Sequence, residues 1–232
     1  PALDVEVLDI SNIDAIYLLR GGLVNSGSSN SIRDLHAPSG WNAEARSGSG
    51  DYTSPRTAGP FSILDAIYEP ISDFAAIDET IDFPYLQVFW SVNNFPVEGD
   101  FDFGEIGFPA YFTVRNGIPR VVLSGAKDNN TMEYDHHVIV HEFAHYFQET
   151  LSRDDSMGGP WGLSSRLDFR IAFSEGWANA LSAIALDSTY YFDTFGSSQG
   201  SAFGSDIEAN TTNSGGNSRR AGWFSPRSIG QI

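Results

Sequence analysis

The run His141-Glu142-Phe143-Ala144-His145 confines this chain to folds that bury one particular helix. On a helix, positions four apart stand over one another, so His141 and His145 turn their imidazoles to the same side. Imidazole suits zinc, and a catalytic zinc site takes three protein donors and leaves one position open. Glu142 sets a carboxylate beside the ion, where it can take a proton from a bound water. Two donors and a base on one helix demand a second element that faces them and supplies the third donor.

The flanking residues suit that helix. Asp135 is a candidate N-cap, and Val140, Phe143, Ala144, Phe147 and Leu151 form an apolar stripe behind the histidines. Val138 and Ile139 add apolar surface elsewhere, so the helix is predicted to be largely buried. His137 extends the histidine face, but it lies about 12 Å from His145 along the axis, while zinc–nitrogen bonds are only about 2 Å long. One ion therefore takes His137 with His141, or His141 with His145. Only the second pair carries a base, so His136 and His137 are expected to be solvated or supporting groups at the helix start.

A metzincin would continue the motif with Gly at 148 and His at 151; Gln148 and Leu151 stand there instead, and no histidine follows His145. The third donor is then a carboxylate or an upstream group, and Glu175 is the best candidate. It falls in a helix predicted over 168–186, with Phe173, Trp177, Leu181 and Ile184 on the core side and Glu175, Asn179 and Ser182 opposite. A carboxylate in so apolar a segment is costly to bury unless paired or metal-bound; an ion pair with Arg166 or Arg170 is the bland alternative. Asn179, one turn on, could orient a ligand histidine through its other nitrogen. Gly176, at about 1 kcal/mol against Ala inside a helix, suggests close approach of the two helices.

An HExxH followed by a distant Glu on a second helix resembles the gluzincin group of zinc metallopeptidases, the thermolysin-like enzymes. The resemblance covers about 120–186 and implies a zincin-like fold, zinc on His141, His145 and Glu175, and Glu142 as general base. The chain departs from that group in carrying Asn179 where Asp is usual and in lacking a Tyr between Ser152 and Gly162. The Ala172-Phe173-Ser174-Glu175-Gly176-Trp177 run also resembles a less characterised group of secreted bacterial metallopeptidase-like proteins.

The remaining sequence frames this helix pair. At 232 residues the chain can hold one catalytic domain with a good core. Thirteen Lys+Arg against 30 Asp+Glu give a net charge of −17, which disfavours nucleic acid and anionic membranes as partners. No run of 18 apolar residues suggests membrane insertion. Zero Cys excludes thiol chemistry. A secreted or extracellular setting is expected; no signal peptide is present in the sequence, which leaves room for one removed by processing.

An α+β fold with a mixed sheet is predicted. Val5–Ile10 and Ala15–Leu19 read as short strands, set apart with a Gly/Ser/Asn-rich wrapping loop as an N-terminal segment, 1–55, from a catalytic domain, 56–232. Ser62 to Asp65 resembles a capping box, and Ile63, Leu64, Ile67, Ile71 and Phe74 keep helical spacing despite Pro70. Strands follow at Leu86–Val92, Ala110–Val114 and Ile118–Ser124, the last two joined by an Asn116-Gly117 turn. The strand Pro119–Ser124 is expected at the sheet edge over the cleft, where a peptide could add to it. Residues 196–220 read as loop. A helix starts at Ser225-Pro226 and stops, as though a C-terminal subdomain were cut short. The acidic loops Asp100–Glu105 and Asp128–Glu133 could hold calcium, Ca2+.

The expected function is zinc-dependent hydrolysis of peptide or protein substrates. Arg153, Arg166, Tyr190 and Tyr191 are unranked candidates for stabilising the oxyanion. The alternatives are a surface or binding module with a vestigial or structural metal site, and a metal hydrolase acting on another bond.

Overall fold

Apolar, β-branched runs build the middle of the molecule. The computed structural model describes residues 4–23, 25, 27, 32, 34–159, 166–209 and 222–231. Five strands form a mixed sheet in the order β2-β1-β5-β7-β6: β1 (Val5–Asp9), β2 (Ala15–Ile16), β5 (Leu86–Trp90), β6 (Ala110–Arg115) and β7 (Ile118–Leu123). β1, β5 and β7 run parallel, with β2 and β6 antiparallel at the edges. In β5, Leu86, Val88, Phe89 and Trp90 are all buried, as a strand covered on both faces requires. Asn116 and Gly117 both take positive φ, 55° and 77°, which matches a tight hairpin turn to the twist of its strands.

Two sequence expectations change here. The N-terminal strands belong to the main sheet, because β1 pairs with β5 from Val5↔Leu86 to Leu8↔Phe89. β7 is interior, between β5 and β6, so the edge strand is its hairpin partner β6. Sequence spacing locates a hairpin but does not say which arm faces outward. That depends on β5, which arrives from elsewhere in the chain.

One face of the sheet carries the helices α2 (Gly59–Ile77) and α3 (His136–Leu151). Their inner side chains, Ile63, Ile67, Ile139, Val140, Phe143 and Tyr146, meet Val88, Trp90, Val121 and Leu123 in the main core. Leu8, Ile10, Phe89, Ile106 and Val122 form a smaller cluster. α2 starts three residues before the expected cap, with Pro60 in its first turn. Ser62 instead shares a 2.9 Å hydrogen bond with His136 Nε2.

α4 (Phe169–Ala185) packs against α3, and α5 (Pro226–Ile229) packs against α4. The core side of α4 is only partly the one expected: Leu181 is buried against Ala144 and Ala178 with Trp177 packed beside it. Phe173 and Ile184 are more than half exposed, while Ala172, Ser174, Gly176, Ala178 and Ser182 are buried. Turning Glu175 and Asn179 toward α3 brings their small neighbours to the helix contact and leaves Phe173 and Ile184 outside. Gly176 does mark a close approach, but to α5: a Cβ there would lie 2.7 Å from Ile229 Cβ and from the Pro226 carbonyl.

Part of the stretch expected to be loop, 196–220, is a strand, β11 (Ser201–Asp206), which forms a hairpin with β10 (Tyr190–Phe195) just before it; residues 210–220 lie outside the described residues. The strand signal is legible in hindsight. Tyr190-Tyr191-Phe192-Asp193-Thr194-Phe195 is rich in strand formers and ends at Gly196.

Before α2 the chain crosses the surface through the short strands β3 (Trp41–Asn42) and β4 (Asp51–Tyr52), with the turn α1 (Ala45–Gly48) between them. Arg56 anchors this arm. It forms a buried 2.8 Å ion pair with Glu133, donates to the Gly125 carbonyl, and lies 4.6 Å from the Tyr52 ring centroid. Trp90 Nε1 donates to the other Glu133 oxygen. Arg46 bridges Asp51 and Asp128 at the surface. β8 (Gly125–Ala126) and β9 (Asn130–Thr131) pair just before α3. Among the described residues no helix is long and apolar enough to cross a membrane.

Candidate metal centre

Helical periodicity on α3 and a facing helix α4 bring three donors together. One ligand atom each from His141, His145 and Glu175 lies within 4.8 Å of the others, and among the described residues this is the one such group of three. His141 Nε2 is 3.1 Å from Glu175 Oε2, His145 Nε2 is 3.7 Å from Glu175 Oε1, and the two Nε2 atoms are 3.2 Å apart. Neither arginine weighed as a partner of Glu175 takes it. Arg170 pairs with Asp168, and Arg166 stacks over Phe224.

Each histidine is held from behind. His141 Nδ1 lies 2.9 Å from Asn179 Oδ1, the role expected for Asn179. His145 Nδ1 lies 3.2 Å from Ser174 Oγ, whose hydroxyl donates to Gln148 Oε1 at 2.7 Å. With its proton committed to Gln148, Ser174 can only accept, so His145 carries its hydrogen on Nδ1. Asn179 Oδ1, an acceptor, fixes His141 likewise. Both Nε2 lone pairs then face one another and a carboxylate. Such an array repels itself unless a proton or a metal ion lies between, and its nitrogen–nitrogen–oxygen set is one that zinc takes.

The electrostatics follow from burial. Burial works against a charged His141, but the hydrogen bond and charge of Glu175 outweigh it and raise its proton affinity. For Glu175, burial is outweighed by the two histidines, which hold its carboxyl well below the usual range. Glu142, also buried, is shifted upward by desolvation, with the histidine charges and the Phe112 N–H opposing.

The site opens on a cavity of about 1200 Å3 lined by the three donors and Glu142, with β6 along one side and Tyr191, Asp193, Phe203 and Ser205 of the β10–β11 hairpin along another. Of the four residues weighed as oxyanion partners, only Tyr191 lines this cavity; its ring centroid is 6.3 Å from that of His141. Burial, with Asp193 and Glu142 nearby, keeps its hydroxyl protonated far above the usual tyrosine range. Arg153 is exposed and paired with Asp155, and Tyr190 points outward.

His136 and His137 stay out of the donor group. His137 is 8% exposed, its Nε2 donating to the Ser188 carbonyl at 3.1 Å, and desolvation keeps it neutral. Asp135 sits at the N-cap position without capping; its carboxylate accepts from the Thr194 N–H and hydroxyl. In the acidic loops, Asp100 accepts from the Asp102 N–H and Glu105 from the Asp100 N–H, while Asp128 and Glu133 are taken by Arg46 and Arg56. Sequence reasoning missed Ser174, Gln148, Asp193 and Phe203, whose roles arise only where separate elements meet. No family model, curated protein or solved structure matches this chain.

Proposed function

We propose that this chain is a zinc-dependent peptidase of zincin-like architecture, working outside the cell, in which His141, His145 and Glu175 hold the ion. The observation that carries the reading is the convergence of two Nε2 atoms and a Glu175 oxygen, with Glu142 buried beside them on an open cleft. A structural zinc site closes with four protein donors; here, among the described residues, three converge and the cavity faces them, as hydrolysis requires.

Zinc, when bound, supplies Lewis-acid polarisation of the scissile carbonyl and acidifies a water molecule. The protein's own groups do the rest. A carboxylate oxygen of Glu142 takes the proton from the attacking water and returns it to the leaving amine nitrogen. Ser174 and Asn179 keep the histidine protons on Nδ1 and the Nε2 lone pairs free. The Tyr191 hydroxyl donates to the substrate oxygen as it gains negative charge. β6, the sheet edge along the cavity, offers main-chain partners to an extended peptide; among the described residues no strand pairs with its outer side.

The test is digestion of casein by zinc-loaded protein, with and without a chelator, beside Glu142→Gln. Cleavage should stop with the chelator and fall at least ~100-fold in Glu142→Gln, with zinc content retained. Undiminished cleavage by Glu142→Gln would remove the mechanism.

A further inference from the structure

The hairpin wall of the cleft carries more than the reaction needs. Alternation along β10 turns Tyr191 and Asp193 inward, and the register sets them opposite Ser205 and Phe203 on β11. Tyr191 and Phe203 lie near one another, ring centroids 6.3 Å apart. On the same face of the hairpin as these rings stands a carboxylate with nothing to bind. Among the described residues Asp193 has no hydrogen-bond or ion-pair partner, and its Oδ1 is buried and unsatisfied. The nearby Asp135 carboxylate is bonded by Thr194, so the carboxylate left without a partner here is Asp193. On the same cleft lining Arg227 Nε is also buried and unsatisfied. Desolvation pushes the Asp193 carboxyl up to about 6, a measure of how poorly its charge is compensated. The other charged groups lining the cleft beyond the metal group and Glu142 are Glu149, Asp154 and Asp206, against Arg227 alone, which donates to Ser205 Oγ.

A partly buried, uncompensated carboxylate is unfavourable in the free protein and strengthens any cation that reaches it. Aromatic faces beside it suit the alkyl stem of a long basic side chain and its charged end. We propose that Asp193, flanked by Phe203 and Tyr191, recognises a Lys or Arg side chain of a peptide lying in the cleft. This rests on the peptidase reading and narrows it to substrates with a basic residue. Because Tyr191 also borders His141, the recognised residue lies close to the scissile bond.

The experiment maps casein cleavage sites by mass spectrometry and then compares two peptides that differ only in Arg or norleucine at the enriched position. Lys and Arg should be enriched within two residues of the cut. The kcat/KM ratio of Arg peptide to norleucine peptide should fall at least ~10-fold in Asp193→Asn, as loss of a charged hydrogen bond implies, and invert toward a Glu peptide in Asp193→Lys. No basic enrichment, or the same ratio in Asp193→Asn, overturns the assignment. Binding separates this from failure of the peptidase reading. If nothing is cleaved, fluorescence anisotropy on zinc-loaded Glu142→Gln should still show tighter binding of the Arg peptide, lost on adding Asp193→Asn. Equal binding of both peptides, or none, overturns the Asp193 assignment.

Discussion

His145 is fixed by a relay that crosses between helices: its Nδ1–H meets Ser174 on α4, and Ser174 turns back to Gln148 on α3. Removing such a support frees the ring to rotate or change tautomer, which typically weakens metal binding by about 10- to 100-fold. Ser174→Ala and Asn179→Ala should each lower zinc affinity by that factor, read by competition with a chromophoric chelator. Glu175→Ala should lose zinc where Arg170→Ala keeps it. His137→Ala should retain the metal and His145→Ala should lose it; retention of one zinc per chain by Glu175→Ala would dismiss the donor set. His141, Glu142, His145 and Asn179 were legible because each follows from spacing within one helix. Glu175 was legible because a carboxylate in an apolar run wants an explanation. The Ser174–Gln148 link was not, since either residue alone reads as an ordinary helix position.

At the scale of elements, the long helices and the Asn116-Gly117 hairpin were readable, because their signals are local. The facing of α4 was readable only in part, at Leu181 and Trp177. Hydrophobic pattern assigns bulky residues to the core, but the need to aim Glu175 at α3 overrides it and leaves Phe173 and Ile184 exposed. The same orientation sets Gly176 beneath α5. Gly176→Ala would gain helix propensity of about 1 kcal/mol, but the added methyl meets Ile229 and a backbone oxygen at 2.7 Å. A net loss of about 1–3 kcal/mol is expected from this overpacking, read as a lower urea midpoint with an unchanged slope. The β10–β11 hairpin escaped notice because Gly- and Ser-rich sequence after Phe195 masked a good strand before it. Tyr191 on that hairpin gives a kinetic prediction. Tyr191→Phe should reduce kcat about 100-fold with little change in KM, the behaviour of a hydrogen bond made in the transition state.

Across the whole molecule, the arm before α2 is joined to the core through Arg56 and Glu133. Removing one member strands the other's charge in the interior. Arg56→Ala should destabilise the protein by about 3–5 kcal/mol, while a well-packed Arg56→Met/Glu133→Leu pair should recover most of that loss. Differential scanning calorimetry of the three proteins checks both. A second global property is the pH dependence of stability. Burial lifts Asp135 from 3.8 to about 7 in the folded chain, despite its Thr194 bonds. A carboxyl raised on folding contributes stability that is full below about 4 and is lost as pH rises through about 7. Asp135→Asn keeps an acceptor for Thr194 without the charge. It should therefore gain on the wild type by on the order of 3 kcal/mol between pH 4 and pH 8, measured by urea unfolding at both values.

Time enters through the same sheet. β1 has to wait for β5 and β5 for β7, so the platform beneath α3 closes only after residue 123 has been made. Glu175, the last of the three proposed donors, follows later in the chain. A growing polypeptide thus carries its histidine pair for some seconds, at about 5–20 residues per second, before the third donor exists. The proposed metal centre is completed late in synthesis, and on the peptidase proposal a newly made chain is spared its own hydrolytic chemistry while it is most vulnerable to it.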